Sequence, residues 1–238
     1  MKIALIGYGK MGQAIEEVAV ERGHEIVLKI SIDNPEDNTK EKIAEADVAI
    51  EFTGPEVAFE NIRKCFSANV PVVCGSTGWL DQYPEAKKLC QEQNGAFLYA
   101  SNYSVGVNLF FALNQQLASL MAGKKEYEVA ITEIHHTEKK DAPSGTAISL
   151  AEQIIENLPG KKQWMNHATN NPEDLQIVSE RVDSVPGTHR VWYHSDIDSI
   201  EIIHTAHSRK GFATGAVLAA EFLKGKTGIY SMKDVLGL

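Results

Sequence analysis

The sequence predicts an α/β chain in two parts, a parallel-sheet domain followed by a smaller α+β domain. Three observations support this prediction. Short apolar runs alternate with helical patterns over the first hundred residues, which is typical of parallel strands joined by crossover helices. A glycine-rich turn separates the first apolar run from the first helical pattern. After about residue 124, strand-like runs follow one another directly, as in an antiparallel or mixed sheet.

The first part contains five short, mostly apolar runs that predict strands. They lie at 2–6, 24–30, 47–52, 70–74 and 96–100. Helical spacing follows the first run from Met11 to Ala19, and further helices are predicted near 56–68 and 81–93. In open sheets of this kind, ligands bind beyond the carboxyl ends of the strands. Small and hydroxyl residues at these ends leave room for a ligand; they are Thr53-Gly54, Gly75-Ser76-Thr77 and Ala100-Ser101-Asn102-Tyr103.

The second part opens with a half-buried strand at Tyr127–Ile131 and a long helix at 145–157. Residues 157–173 are rich in Pro, Gly and Asn and predict a loop. Three more strands are expected at 174–183, 189–195 and 199–206, and a final helix at 213–223. We assign the tail to the first domain, so the predicted domains are 1–103 plus 213–238 and 104–212.

Composition narrows the possible functions. The 238 residues are 43% hydrophobic and carry a formal charge of -9, which argues against a nucleic-acid or anionic-membrane surface. No apolar run approaches the ~20 residues that span a bilayer. The three cysteines show no paired or metal-ligand spacing, which favours buried, reduced thiols in a cytoplasmic protein.

The glycine-rich turn fits a dinucleotide-binding fingerprint, Gly7-x-Gly9-x-x-Gly12, between a strand and a helix. The first glycine permits the tight turn, the second a close approach to pyrophosphate, and the third close packing of the helix. Asp33 lies 21 residues beyond Gly12, where a carboxylate accepts hydrogen bonds from ribose hydroxyls. No arginine follows Asp33, which favours NADH over NADPH slightly. Lys29 or Lys40 could still serve a 2′-phosphate.

A second motif, His135-His136-Thr137-Glu138-Lys139-Lys140, precedes a Ser-Gly-Thr turn that opens a helix. A helix N-terminus offers free N–H groups and partial positive charge to an anion. Proton donors beside such a site suit a small acidic substrate that must be protonated. Adjacent histidines on a strand point to opposite faces, so they form a poor bidentate metal site, and no Cys, Asp or Glu nearby completes a zinc set; we expect no metal.

In both motifs together, the chain resembles the 4-hydroxy-tetrahydrodipicolinate (dihydrodipicolinate) reductase family of the diaminopimelate route to lysine. The resemblance covers essentially the whole chain. Its most specific segment is Glu133-Ile134-His135-His136-x-x-Lys139-x-Asp141-Ala142-Pro143-Ser144-Gly145-Thr146-Ala147. Supporting matches are Gly75-Ser76-Thr77-Gly78-Trp79, Ser101-Asn102-Tyr103-Ser104-x-Gly106-Val107-Asn108, Gly187-x-His189-x-Val191 and His207-Ser208-Arg209.

The resemblance implies an N-terminal Rossmann domain with an inserted α+β domain for catalysis and oligomerisation, and a homotetramer. It implies reduction of a cyclic dicarboxylate imine with NADH or NADPH. His135 becomes the catalytic acid/base and Lys139 the second proton donor, while His136, Gly145 and Thr146 hold the substrate. The cofactor contacts implied are Gly7, Tyr8, Gly9, Lys10, Met11, Gly12, Asp33, Gly75, Ser76, Thr77, Ala100, Ser101, Asn102 and Tyr103.

Two departures from the family pattern leave questions open. The glycine loop is one residue shorter than a form common in the family, which affects the phosphate contacts. The chain is also trimmed around 34–46, near the expected adenosine ribose, so cofactor preference is not carried over. Two alternative functions remain: another two-domain NAD(P) oxidoreductase of aspartate- or homoserine-dehydrogenase type, and a non-catalytic sensor of NAD(H) redox state.

Overall fold

The computed structural model describes residues 1–208 and 210–238. Arg209, the last residue of one family match, lies outside the described residues. The chain divides into a first unit, residues 1–105 with the carboxyl-terminal segment 210–238, and a second unit, Gly106–Ser208. These borders differ by a few residues from the predicted ones because the chain leaves the first unit where one helix begins at Val105 and returns where another begins at Lys210.

The elements are numbered in chain order. The strands are β1 Lys2–Ile6, β2 Glu25–Ile30, β3 Val48–Glu51, β4 Val72–Cys74, β5 Ala96–Tyr99, β6 Glu128–His135, β7 Gln163–Met165, β8 Asp174–Arg181, β9 Thr188–His194, β10 Ser199–Thr205 and β11 Gly228–Tyr230. The helices are α1 Lys10–Glu21, α2 Lys40–Ile43, α3 Pro55–Ser67, α4 Tyr83–Glu92, α5 Val105–Met121, α6 Gly145–Asn157, α7 Lys210–Leu223 and α8 Met232–Leu236.

The first unit is built on a six-stranded sheet in the order β11-β5-β4-β3-β1-β2, with parallel pairing throughout. Helices α1 and α7 supply apolar residues such as Ile15 and Val217 to the core on one face. Helices α3 and α4 contribute Ile62 and Cys90 to the core on the other. The predicted parallel sheet is confirmed, and the tail supplies its sixth strand, β11, beside β5.

The second unit contains a mixed five-stranded sheet in the order β10-β9-β6-β8-β7. Strand β6 runs antiparallel to β9 and parallel to β8. Helices α5 and α6 cover one face through a core that includes Phe110, Ile131, Leu150 and Ile177. The mixed sheet therefore matches the predicted fold class.

Two features of the second unit differ from the sequence prediction. The loop prediction for 157–173 is wrong at Gln163–Met165, because strand β7 pairs there with β8 through its backbone. A three-residue edge strand needs no alternation of apolar and polar side chains, so its sequence carries little signal. Helix α5 was also not predicted, although it buries Val107, Phe110 and Ala118 on one side.

The three cysteines, Cys65, Cys74 and Cys90, are buried free thiols, as their spacing predicted. Among the described residues, no helix combines the length and the apolar character needed to cross a bilayer.

Helix α7 packs so closely on the backbone of Tyr103 that Gly215 of this helix has no room for a side chain. A Cβ atom on Gly215 would lie 1.7 Å from the carbonyl oxygen of Tyr103. We therefore expect Gly215→Ala to lower the free energy of unfolding by about 2 kcal/mol or more, measured by urea denaturation. The matched control is Gly211→Ala on the same helix, where the nearest atom is 3.6 Å away. Equal stability of the two variants would contradict the packing argument.

Candidate active site

The glycine-rich turn of the first unit has the geometry of a phosphate-binding loop. Gly7 has φ +100°, and a Cβ there would lie 2.0 Å from the Phe52 carbonyl oxygen. Gly12 packs equally closely, since its Cβ would lie 2.3 Å from the Gly7 carbonyl oxygen. Gly9, by contrast, is the N-cap of α1 and faces open space. The turn thus leaves the start of α1 accessible to a pyrophosphate, whose charge suits a helix N-terminus.

The other residues of this turn have different surroundings. Lys10 is exposed as the first residue of α1, and Met11 is partly buried against the core. The Tyr8 hydroxyl donates a short hydrogen bond to Glu16. Lys29 completes this group, because its Nζ lies 2.6 Å from Glu16 Oε1 and 4.9 Å from the centre of the Tyr8 ring. The Lys29 ammonium is therefore already paired with a carboxylate of its own unit.

Asp33 lies in an exposed turn just beyond β2. Its backbone N–H donates to the Ser31 hydroxyl at 3.1 Å. Asn34 fixes the same turn, because its Oδ1 accepts from the Ser31 N–H at 2.8 Å and its amide donates to the Lys29 carbonyl at 2.9 Å. The turn thus presents the Asp33 carboxylate to solvent at the carboxyl end of β2, where a ribose binds in folds of this class.

A buried carboxylate joins the ends of β3 and β4. Glu51 is fully buried and accepts from the Thr53 N–H at 3.2 Å and from the Cys74 thiol at 3.0 Å. The Thr53 N–H also donates to the hydroxyl of buried Ser76 at 2.8 Å. Gly75 has no room for a side chain, since its Cβ would lie 2.2 Å from the Phe52 ring. These contacts fix both strand ends and leave Thr77 exposed beside them.

The end of β5 divides into accessible and inaccessible residues. Ser101 is exposed, and Ala100 and Asn102 are partly buried. Tyr103 is only 2% exposed, and its hydroxyl donates to the Cys74 carbonyl at 2.7 Å. The Tyr103 side chain is therefore part of the core, which leaves only its main-chain atoms for a cofactor contact.

Strand register brings the polar groups of the second unit together. Strand β6 ends at His135, which pairs with Arg181 of β8, and Glu133 pairs with His189 of β9. Glu133, His135 and His189 are all buried, and the two imidazole rings lie 5.0 Å apart at an edge-to-face angle. Gly187 makes room for the His135 side chain, since a Cβ on residue 187 would lie 3.1 Å from His135 Nε2.

The Glu133 carboxylate and His189 together fix the start of α6. Ser144 is the N-cap of that helix, and its hydroxyl accepts from the Ala147 N–H at 3.2 Å. The Ser144 N–H donates to Glu133 Oε2 at 3.0 Å, and the Ser144 hydroxyl lies 3.1 Å from His189 Nε2. Gly145 is exposed and Thr146 is half-buried immediately beyond the cap. The helix N-terminus that the sequence predicted as an anion site is thus held by buried groups.

Lys139 lies in the loop between β6 and α6 and forms an ion pair with Asp141, whose two carboxylate oxygens lie 2.8 and 2.9 Å from Nζ. Arg181 holds this loop, because it donates to the Asp141 carbonyl at 2.6 Å while contacting Glu133 Oε1 at 3.3 Å. His136, the first residue past β6, is half-buried.

The charges of this cluster act on its histidines. Burial lowers the pKa of His135, the positive charges of Lys139 and Arg181 act in the same direction, and the Glu133 carboxylate opposes them. Burial and the neighbouring His135 lower the pKa of His189 to about 3. Burial opposes ionisation of Glu133, but hydrogen bonds from Ser144 and Ser179 and the charge of His135 keep the pKa of its carboxyl below the ordinary value.

The sequence predicts that no acidic residue near the histidines completes a set of metal ligands. The structure contradicts this, because Glu133 lies beside two histidines. Glu133, His135 and His189 bring three donor atoms within 4.8 Å of one another. Two of these atoms are already engaged, Glu133 Oε2 by the Ser144 N–H and His189 Nε2 by the Ser144 hydroxyl. The cations Arg181 and Lys139 act on the same groups and repel a dication. The arrangement is that of a hydrogen-bonded cluster.

Sequence reasoning assigned no role to several residues of this cluster. Glu133, Asp141 and His189 were part of the matched motifs, but Arg181 belonged to none of them. Only the pairing of β6 with β8 and β9 places Arg181 and His189 beside His135. A signal for Glu133 was present in the sequence, since a glutamate two residues before His135 on a strand shares its face.

The depressed pKa of His189 predicts how stability depends on pH. The unfolded chain binds a proton at this imidazole below about pH 6.5 whereas the folded chain does so only near pH 3, so stability falls as the pH falls through that window. We expect His189→Gln to flatten this fall between about pH 7 and about pH 5, where one histidine contributes up to about 1.4 kcal/mol per pH unit. Urea unfolding at several pH values measures the slope. His194→Gln, at an exposed place on β9, is the control, and an unchanged slope in His189→Gln would refute the assignment.

The chain matches two family models, described as dihydrodipicolinate reductase, N-terminus, over residues 1–103 and dihydrodipicolinate reductase, C-terminus, over residues 106–236. The 4-hydroxy-tetrahydrodipicolinate reductase of Christiangramia forsetii is 54% identical over 236 residues, covering 99% of this chain and 98% of that protein. The enzyme of the same name from Neisseria meningitidis is 36% identical over 231 residues, covering 94% and 84%. A solved structure, dipicolinate-bound dihydrodipicolinate reductase from a Paenisporosarcina species, has the same fold, with a TM-score of 0.78, 23% identity and 97% of each chain covered. These matches show why the glycine turn and the His135–Thr146 motif occur in one chain: the chain belongs to the 4-hydroxy-tetrahydrodipicolinate reductase family.

Proposed function

We propose that this protein reduces 4-hydroxy-tetrahydrodipicolinate to tetrahydrodipicolinate with NAD(P)H, in the diaminopimelate route to lysine. The observation that carries the proposal is the placing of His135 and Lys139 beside the capped N-terminus of α6 in a chain of this family. A redox sensor that only binds a dinucleotide has no use for proton donors beside an anion site. The same cluster argues against a dehydrogenase of aspartate or homoserine type.

The substrate carries two carboxylates, and the second unit offers matching groups. Gly145 and Thr146 provide the first N–H groups of α6, where the helix dipole favours negative charge. We assign the Thr146 hydroxyl and the His136 imidazole to the same carboxylates. Lys139 is held by Asp141, which is more than half exposed, so a substrate carboxylate can compete with Asp141 for the ammonium. Rigid capping by Ser144 keeps the helix N–H groups oriented before the substrate arrives.

Conversion of the 4-hydroxy compound to tetrahydrodipicolinate adds a hydride and a proton and removes the 4-hydroxyl group as water, so the reaction needs a proton as well as a hydride. A nicotinamide held by the first unit would supply the hydride. Protonated His135 or Lys139 then delivers a proton to the enamine-like anion that remains, and both cations stabilise the charge as it develops. Burial disfavours the imidazolium form of His135, so a protonated His135 gives up its proton readily.

The first unit supports NADH as the preferred cofactor. The Gly7–Gly12 turn leaves the N-terminus of α1 open for a pyrophosphate. The exposed Asp33 carboxylate suits free ribose hydroxyls and repels a 2′-phosphate. Lys29 is paired with Glu16, which weakens its value as a phosphate ligand. We place the adenosine ribose at Asp33 and the nicotinamide near Ser76, Thr77, Ser101 and Asn102.

We further propose a cytoplasmic homotetramer. Buried free thiols at Cys65, Cys74 and Cys90 suit a reducing compartment. The outer face of the second unit's sheet carries Val178 and Ile203, which are 37% and 56% exposed. Such side chains on an open sheet face support contact with further copies of the chain.

The direct test is oxidation of NADH with freshly generated dehydratase product, followed by absorbance. In this assay we expect Lys139→Ala to lower kcat by at least about 10²-fold, because a positioned general acid contributes that much, while NADH affinity stays nearly constant. Lys140→Ala, at the exposed neighbour, is the matched control and should keep wild-type turnover within a few-fold. Unchanged kcat in Lys139→Ala would remove this residue from the mechanism.

The ribose assignment has its own test. Asp33→Ala should weaken NADH binding about 10- to 100-fold in a fluorescence titration, because charge-assisted hydrogen bonds to the ribose are lost. The KM for the dicarboxylate should change little, and discrimination against NADPH should fall. Glu36→Ala, an exposed acid three residues away, controls for the general loss of negative charge. Equal weakening of cofactor and substrate binding would place Asp33 elsewhere.

A further inference from the structure

We infer that Glu133 is a positioning residue that prepares His135 for protonation and couples that proton to the substrate-binding end of α6. The inference rests on the proposed function and concerns a residue to which the reaction as described assigns no part. It follows from the contacts that the buried Glu133 carboxylate makes in three directions, each with a different part of the second unit.

The first direction is toward His135. Glu133 Oε2 lies 3.5 Å from His135 Nδ1, beyond a normal hydrogen bond. His135 Nδ1 is buried and has no hydrogen-bond partner among the described residues. A buried polar atom without a partner is costly, and here a carboxylate faces it at slightly more than bonding distance. Protonation of His135 would give Nδ1 a hydrogen, and a shift of a few tenths of an ångström would form a charge-assisted hydrogen bond.

The second direction is toward α6. The same oxygen, Oε2, accepts from the Ser144 N–H at 3.0 Å, and Ser144 is the N-cap whose hydroxyl accepts from the Ala147 N–H. The helix end that offers Gly145 and Thr146 to a substrate carboxylate is therefore fixed by the atom that faces His135. Movement of this carboxylate acts on the proton donor and on the carboxylate-binding turn together.

The third direction is toward Arg181, whose guanidinium nitrogens lie 3.3 and 3.4 Å from Oε1. Arg181 also donates to the Asp141 carbonyl, next to the ion pair of Asp141 with Lys139. The Arg181 guanidinium thus gives the buried Glu133 carboxylate a cationic partner. The negative charge of Glu133 in turn offsets the repulsion between Arg181 and an imidazolium at His135.

The charges that face His135 come from every element packed against it. Glu133 on β6 favours the imidazolium, whereas Arg181 on β8 and Lys139 in the following loop oppose it. Asp141 in the same loop favours it more weakly, and His189 on β9 lies beside the ring. Removal of the Glu133 charge therefore leaves two cations acting on His135 with one weaker anion to balance them.

The test is the pH dependence of kcat/KM for wild type and Glu133→Gln, from about pH 4.5 to about pH 9, in the NADH oxidation assay. Glutamine keeps the shape and can still accept from Ser144, but it carries no charge. We expect the alkaline limb of the profile to move to lower pH by about one unit or more, since an opposite charge at this distance shifts a pKa by that amount. At neutral pH kcat/KM should fall about tenfold or more, and much of the loss should be recovered at acid pH.

Two further variants separate a charge effect from a structural one. Glu133→Asp keeps the charge, so its alkaline limb should stay near the wild-type position even if the rate falls. Glu128→Gln removes an exposed carboxylate from the same strand and should leave the profile unchanged. A uniform loss of activity at every pH in Glu133→Gln, with unchanged limbs, would overturn the inference.

An independent measurement covers the case in which the glutamine variant is poorly active. NMR titration of the His135 imidazole without substrate should give a lower pKa in Glu133→Gln than in wild type, and an equal pKa would also overturn the inference. Turnover by the wild type tests the proposed function itself. If the wild type is active and the pH profiles of wild type and Glu133→Gln have the same limbs, only the role of Glu133 is rejected.

Discussion

The second unit depends on the burial of one negative charge, the Glu133 carboxylate. An ionised carboxylate without partners cannot be taken out of water at a tolerable free energy, so its neighbours must be hydrogen-bond donors or cations. Ser144 and Arg181 fill that requirement directly, and through them the start of α6 and the loop after β6 have fixed positions. The helix terminus, the proton-donor candidates and the loop that carries Lys139 are therefore parts of one polar network.

The first unit also contains a buried glutamate that joins neighbouring strand ends. Glu51 is also fully buried at the end of a strand, and it joins Thr53 to Cys74 across two neighbouring strand ends. Around it, glycines allow backbone contacts that any side chain would prevent, as at Gly7 and Gly75. In each unit a buried carboxylate organises polar loops at the end of a sheet, which is where ligands bind in α/β folds.

The charge distribution is compatible with the anionic substrate proposed for this acidic protein. The chain carries -9 overall, yet Lys139 and Arg181 lie together around the start of α6. Each cation already has a carboxylate partner, which limits repulsion when no substrate is bound. The Asp141 partner is solvent-exposed and the Glu133 partner is buried, so under the proposed function a substrate carboxylate would displace the partner of Lys139 more easily than that of Arg181. The polar network thus combines a fixed cation with an exchangeable one.

The sequence by itself determined the fold class, the glycine turn, the helix that begins at Gly145 and the family. These features depend on local periodicity, on glycine conformation and on capping, which neighbouring residues encode. Strand β7 and helix α5 were missed, because a short edge strand is set by its partner and α5 carries apolar residues on more than one side. Only the tertiary structure decided that Arg181 and His189 belong beside His135, and that Tyr103 is a core residue. Strand register and side-chain burial join residues far apart in the chain, and no local pattern records which of them will meet.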